Sequence, residues 1–193
     1  ILYIGTFKYL YFMKFLENDK NYIEISDYDT NSFTSSISYN KKTKELYTVG
    51  SSSIPNINVQ NIFVWNITDS RKIEFKKKIE IYEDTIGRNH LYAMYYNDKY
   101  DILLYGGESK KIYWRKYNST EENTIDLFTK ATIRKILMID DYIVCLTTKF
   151  VELFKIIKKD ESFEIIFLSN IEKGGYDMKY IGNNMICLLY TSP

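Results

Sequence analysis

Cysteine, histidine and proline are almost missing from this chain, and each shortage closes off a class of chemistry. Its 193 residues include two cysteines, one histidine and two prolines. His90 is the lone imidazole, and the two thiols, Cys145 and Cys187, lie far apart. No set of residues has the spacing of a zinc site or of a paired-histidine metalloprotease motif, so the reading carries no metal and no cofactor. An excess of one charge is missing too: 26 Lys and Arg stand against 25 Asp and Glu, a net +1. No global basic field is present to hold nucleic acid or anionic lipid. The densest basic run, Lys76-Lys77-Lys78, falls in a strand-and-turn segment and reads as a solvated face. No apolar run approaches the length of a membrane-crossing helix, and no charged-then-apolar leader opens the chain. The expectation is no membrane insertion and a cytoplasmic, intracellular location. An initiator Met is lacking and the chain opens inside an apolar strand, Ile1-Leu2-Tyr3-Ile4, so the true N-terminus is expected upstream.

What the chain has in quantity is β-forming residues. Tyr occurs 19 times and Phe 11 times, alongside abundant Ile, and these types suit a pleated, half-buried surface. Heavy use of Asn, Lys, Ile and Tyr also matches A- and T-rich codons, so composition reports mutation pressure more than task. A βα repeat needs an amphipathic helix between strands. Here every linker is a short cluster of Asn, Asp, Lys and Ser. An all-β chain is expected, with a β-sandwich as the rival to a repeat array.

Internal repeats decide the organisation. Lys44–Gly50, Asp101–Gly106, Asp141–Thr147 and Asn184–Leu189 share one grammar: a polar turn, an apolar run, then a small or hydroxyl residue. Leu2-Tyr3-Ile4-Gly5 is a truncated copy. Taking Gly5, Gly50, Gly106 and Thr147 as equivalent gives spacings of 45, 56 and 41 residues, against roughly 40–45 for a four-stranded propeller blade. The long interval holds a Pro-containing polar stretch, Ser51–Gln60, read as an inserted loop and a candidate partner contact. A following strand recurs at Leu10–Phe15, Ile62–Ile67, Ile112–Tyr117 and Val151–Ile156. Outer strands are expected at Asn21–Ser26, Ile73–Tyr82, Thr124–Phe128 and Phe163–Leu168, where apolar and polar residues alternate. The expected fold is a partial β-propeller of about four blades of four-stranded antiparallel sheets. The approximate blades are 1–32, 33–85, 86–130 and 131–170, with another starting at 171–186. A seven-bladed ring needs roughly 300 residues, so residues 1–186 are expected to form an incomplete propeller.

These motifs resemble the WD-repeat propeller family in degenerate form. Asn89-His90 stands for that family's Gly-His, Leu103-Leu104-Tyr105-Gly106-Gly107 for its strand end, and Ile62-Phe63-Val64-Trp65-Asn66 for its apolar-x-Val-Trp-Asp. Ile112-Tyr113-Trp114-Arg115 repeats the pattern. Asp98 and Asp101 are the candidates to pair with His90. A kelch-type propeller is a second candidate, on Gly106-Gly107 with Tyr113 downstream. The resemblance implies an intracellular, non-catalytic scaffold that binds other proteins through loops on a rigid array. The alternative is a propeller enzyme or ligand-binding propeller with a site at the central channel, which would draw on Lys44, Asp101, Asp141 and Asn184 at the strand starts.

The remaining reactive-looking residues read as structural. No catalytic, cofactor-binding or metal site is assigned. His90 is expected to bond neighbouring strands rather than act as a base. Asp140-Asp141 and Glu121-Glu122 lie in expected turns, where adjacent carboxylates need not converge into an acid–base pair. Gly174-Gly175 lacks the Lys and helix of a phosphate loop and reads as a turn. Cys145, in Tyr142-Ile143-Val144-Cys145-Leu146, reads as a buried thiol. The tyrosines read as packing rather than base stacking, and no nucleic-acid partner is expected. Asn66-Ile67-Thr68 and Asn118-Ser119-Thr120 match the glycosylation sequon, as an Asn-rich chain does by chance. Residues 187–193, Cys-Leu-Leu-Tyr-Thr-Ser-Pro, resemble the translation of a transposase-end sequencing adapter and are expected to be a non-native tail. The other reading there is a real strand, Met185–Tyr190.

Overall fold

The computed structural model describes residues 2–5, 7–15, 23–50, 59–68, 73–82, 90–160, 162–183 and 185–189. All regular structure among them is strand, and the chain divides into two compact units, Ile1–Leu91 and Tyr92–Pro193. No helix among the described residues is long and apolar enough to cross a membrane.

In the first unit, β1 (Leu2–Gly5), β2 (Phe7–Phe15) and β3 (Ile23–Phe33) form an antiparallel sheet in chain order. Next come β4 (Ser36–Asn40), β5 (Glu45–Gly50), β6 (Val59–Ile67) and β7 (Ile73–Tyr82), a four-stranded meander. The β4–β5 turn is set locally. The Asn40 side-chain oxygen accepts from the Lys42 and Thr43 amides at 3.0 and 3.2 Å, and Lys44 closes the turn at φ 56°. Leu46, Trp65 and Ile73 bury one face with Ile37, Phe63 and Ile67 packed on them. The Trp65 indole N–H is buried and donates to Thr48 Oγ1 at 3.0 Å, which meets the need of a buried donor for a partner.

The second unit repeats the scheme, its first strand beginning one residue before the unit boundary. β8 (Leu91–Asn97), β9 (Ile102–Gly107), β10 (Lys111–Lys116) and β11 (Asn123–Asp126) form one meander. β12 (Ile133–Ile139), β13 (Tyr142–Thr147), β14 (Val151–Lys158) and β15 (Phe163–Ile171) form the next. A two-stranded sheet follows, β16 (Asp177–Gly182) with β17 (Met185–Leu189). The β8–β9 turn copies the earlier one: Asn97 accepts from the Lys99 and Tyr100 amides at 3.0 and 2.9 Å, and Asp101 takes φ 56°.

Packing separates this fold from a sandwich, in which each sheet buries only one face. Along the β12–β15 sheet, Ile136, Met138, Ile143, Cys145, Phe154 and Ile156 face one core, shared with Ile102, Leu104 and Ile112 of the preceding sheet. Their alternate neighbours Leu137, Ile139, Val144, Leu146, Val151 and Leu153 face a second core with Met178, Ile186 and Leu188 of the sheet that follows. Both faces are covered, so β13 reads as a continuous apolar run rather than an alternation. The outer strands β11 and β15 are largely exposed. The expected gradient from uniformly apolar inner strands to alternating outer ones is therefore present, as is the all-β, antiparallel four-stranded fold.

Three details depart from the expectations. Amides of Ile67, Tyr117 and Ile156 donate to the carbonyls of Lys44, Asp101 and Asp141. Those three residues are equivalent, and the residue equivalent to Gly50 is then Gly107, one position beyond Gly106. Lys44, Asp101 and Asp141 belong to tight hairpin turns that open the second strand of each sheet. The loop Ser51–Gln60 lies outside the described residues up to position 58, and Val59 and Gln60 already belong to β6.

Candidate functional site

The turns that open β9 and β13 are tied to each other. Asp141 accepts from the Lys99 ammonium and from the Tyr100 hydroxyl, the latter at 2.6 Å. The hydrogen bond from Lys99, joined by that from Tyr100, holds the Asp141 carboxyl below the ordinary value. Asp101 accepts from the Tyr96 hydroxyl, and Asp140 adopts φ 53°. The Asp101 carboxylate thus serves its own hairpin and that of Asp141 the neighbouring turn.

Glu121 and Glu122 diverge, as adjacent residues in a turn are free to do. Glu122 accepts from the Tyr105 hydroxyl and from Arg115 at 3.2 Å. Tyr105 stacks on Tyr113 with centroids 5.7 Å apart, and burial, reinforced by Glu122, pushes its phenol far above the ordinary range. Glu121 instead rims a groove of about 200 Å³ walled by Trp114 and Phe163, with Lys116, Ser119, Asn123 and Ser162. The two rings lie 4.6 Å apart between centroids.

His90 immediately precedes β8, while Asp98 and Asp101 follow its far end. Seven strand residues span roughly 23 Å, so neither aspartate pairs with this histidine. Cys145 is fully buried, and burial with Glu152 nearby pushes its thiol up. Lys76, Lys77 and Lys78 lie in β7 and are exposed. Lys78 pairs with Glu80 at 2.6 Å, and Lys76 pairs with the buried Glu45. Burial works to raise the Glu45 pKa, but hydrogen bonds from Lys76, Tyr47 and Thr43 outweigh it and hold the carboxyl below 4.5.

The opposite end of the second unit carries what the sequence reading missed. There the segment before β16 lies on the β13–β14 turn: Gly175 N–H donates to Thr147 O at 3.2 Å, and a Cβ on Gly174 would meet Thr148 O at 2.1 Å. Buried Glu152 accepts from the Phe128 and Thr129 amides at 3.0 Å each and from the Thr129 hydroxyl. That anchor fixes the β11–β12 connection and leaves Phe128 69% exposed, stacked on Phe167 at 5.0 Å.

A bulge in β12 sets the charged part of this end. Ile133 pairs with Thr147 and Lys135 with Leu146, leaving Arg134 as the extra residue. In regular alternation Arg134 would share the core face of Ile136 and Met138. The bulge gives that place to Ile133 and releases the guanidinium, as bulges re-aim side chains. The Arg134 guanidinium lies 5.0 Å from the Tyr92 ring centroid and 5.8 Å from that of Tyr176. Tyr92 donates its hydroxyl to Glu108 at 2.9 Å. Burial, then Glu108, pushes its pKa up to about 12. The only trace in the sequence is Arg134-Lys135 interrupting an apolar alternation.

Among the described residues, no cluster of His, Cys, Asp and Glu is grouped to hold a metal ion. No family model matches the chain, and no curated protein matches it. Among solved structures it is similar to the WD40 β-propeller domain of Doa1, at 12% identity and a TM-score of 0.50. That likeness covers 77% of this chain and 43% of the other, so this chain spans under half the domain it matches. The likeness is one of fold: the sheets are blades of a WD40-like β-propeller.

Proposed function

We propose that the chain is a non-catalytic scaffold that binds other proteins. The observation that carries this reading is the division of labour between the two ends of the second unit. At one end the carboxylates that an active site would need are held in separate turns by Lys99, Tyr100, Tyr96, Tyr105 and Arg115. At the other, anchored connections hold aromatic side chains out to solvent, Phe128 at 69% and Tyr176 at 58% exposure. Exposed aromatics on a fixed frame match the anchor residues of protein interfaces. The competing reading, an enzyme or ligand site at a channel, asks Asp101 and Asp141 to converge on one point. They bond instead to different partners, Asp101 to Tyr96 of β8 and Asp141 to Lys99 and Tyr100 of the β8–β9 turn.

A photo-crosslinking residue placed at Phe128 or at Tyr176, in the full chain within source-cell extract, tests the reading. Discrete crosslinked proteins from these positions, and none from the same probe at Ser162 in the opposite groove, are the expected result. Equal labelling from both ends would sink the assignment of the surface, and no crosslinked species from either would sink the scaffold reading itself.

A further inference from the structure

We propose that Arg134, with Tyr92 and Tyr176 as its walls, is a receptor for a single carboxylate carried on a peptide partner. The inference rests on the scaffold reading and names the chemistry its partner brings. Arg134 is half-buried, its Nε is buried without a hydrogen-bond partner, and no carboxylate lies within salt-bridge distance of it among the described residues. A guanidinium removed from bulk water and left without an anion is costly. The two rings offset part of that cost through their faces while leaving the planar fork unfilled. The next residue has no such vacancy, since Lys135 pairs with Asp177 at 3.0 Å.

The geometry selects among anions. A guanidinium edge accepts a carboxylate in two parallel hydrogen bonds. Aromatic walls fix the guanidinium plane and add contact for the aliphatic part of an Asp or Glu side chain. A phosphate dianion asks for several cations, and here one guanidinium stands beside a Tyr92 hydroxyl already turned toward Glu108. A second acid beside the pocket repels a dianion more than a monoanion. Tyr176 is the exposed wall, at 58%, whereas Tyr92 is bonded to Glu108.

The full chain panned against a random heptapeptide display library supplies the probe. Selected peptides are expected to share one acidic position. When such a peptide is synthesised and followed by fluorescence anisotropy, replacing that acid by its amide should weaken binding about tenfold, the loss of one charge-assisted pair. Arg134→Gln should cost the same factor with the acidic peptide and nothing further with the amide peptide. Tyr176→Ala removes only the exposed wall, so the fold is kept, and it should weaken the acidic peptide several-fold while sparing the amide one. Selected peptides that bind equally well to Arg134→Gln would overturn the carboxylate receptor and leave the scaffold reading standing. Tighter binding of a phosphoserine peptide than of its Glu counterpart would overturn the choice of anion. Failure to select any peptide, together with an absence of crosslinks at Phe128 and Tyr176, would remove both.

Discussion

Glu45 shows how one residue ties pH to stability in this chain. It is almost fully buried at the start of β5, yet it keeps its charge because Lys76, Tyr47 and Thr43 all donate to it. Its folded pKa lies below the ordinary 4.5. The unfolded chain therefore binds its proton first as pH falls, and the stabilisation is complete above about 4.5 and lost as pH drops through the folded value. Glu45→Gln is expected to cost about 1–3 kcal/mol at neutral pH, the range for a buried hydrogen bond to a charged group. Urea denaturation at pH 7 and pH 3.5 checks this: the gap between wild type and variant should narrow in acid, and a gap independent of pH would contradict the account. None of this was legible in the sequence. Glu45 sits in Lys-Glu-Leu-Tyr, a context that looks like a solvated turn, and its partner lies 31 positions away.

Elements were more legible than their irregularities. The uniformly apolar β9 and β13 and the alternating β7 announce themselves because burial on two faces or one leaves a direct imprint on the order of residues. The bulge in β12 leaves almost none, because an extra residue shifts the pairing without changing composition. Close approach is hidden in the same way. At Gly106 in β9 an added Cβ would lie 2.5 Å from Ile133 Cδ1 and 2.9 Å from Lys111 O, while at Gly174 it would meet the Thr148 backbone oxygen. A side-chain end can yield and a backbone cannot. Gly106→Ala and Gly174→Ala should each cost about 1–3 kcal/mol, the usual range for overpacking. Adding Ile133→Val should recover part of the loss for the first and none for the second. Thermal melts of the two double variants decide it, and equal recovery would show that the clash is not where the geometry puts it.

At the scale of the molecule, the covered faces imply a gradient of persistence. β9 and β13 are interior to their sheets, with nearly every residue buried, whereas β15 is an outer strand with Phe167, Leu168 and Ile171 exposed. Hydrogen exchange followed residue by residue should find amides of β13 at least about a hundredfold slower than those of β15. Uniform protection across the sheet would argue against local opening from the rim. The turns that join these strands have a use of their own. Asn40 to Lys44 and Asn97 to Asp101 follow the same path, each folded by its leading asparagine and closed at the same φ of 56°. The path itself is written within five residues, so putting Asn40 to Lys44 in the place of Asn97 to Asp101 should keep the hairpin and its register while giving up the bonds that Lys99 and Tyr100 make to Asp141. Such an exchange separates what the turn does for its own hairpin from what it does for the next one.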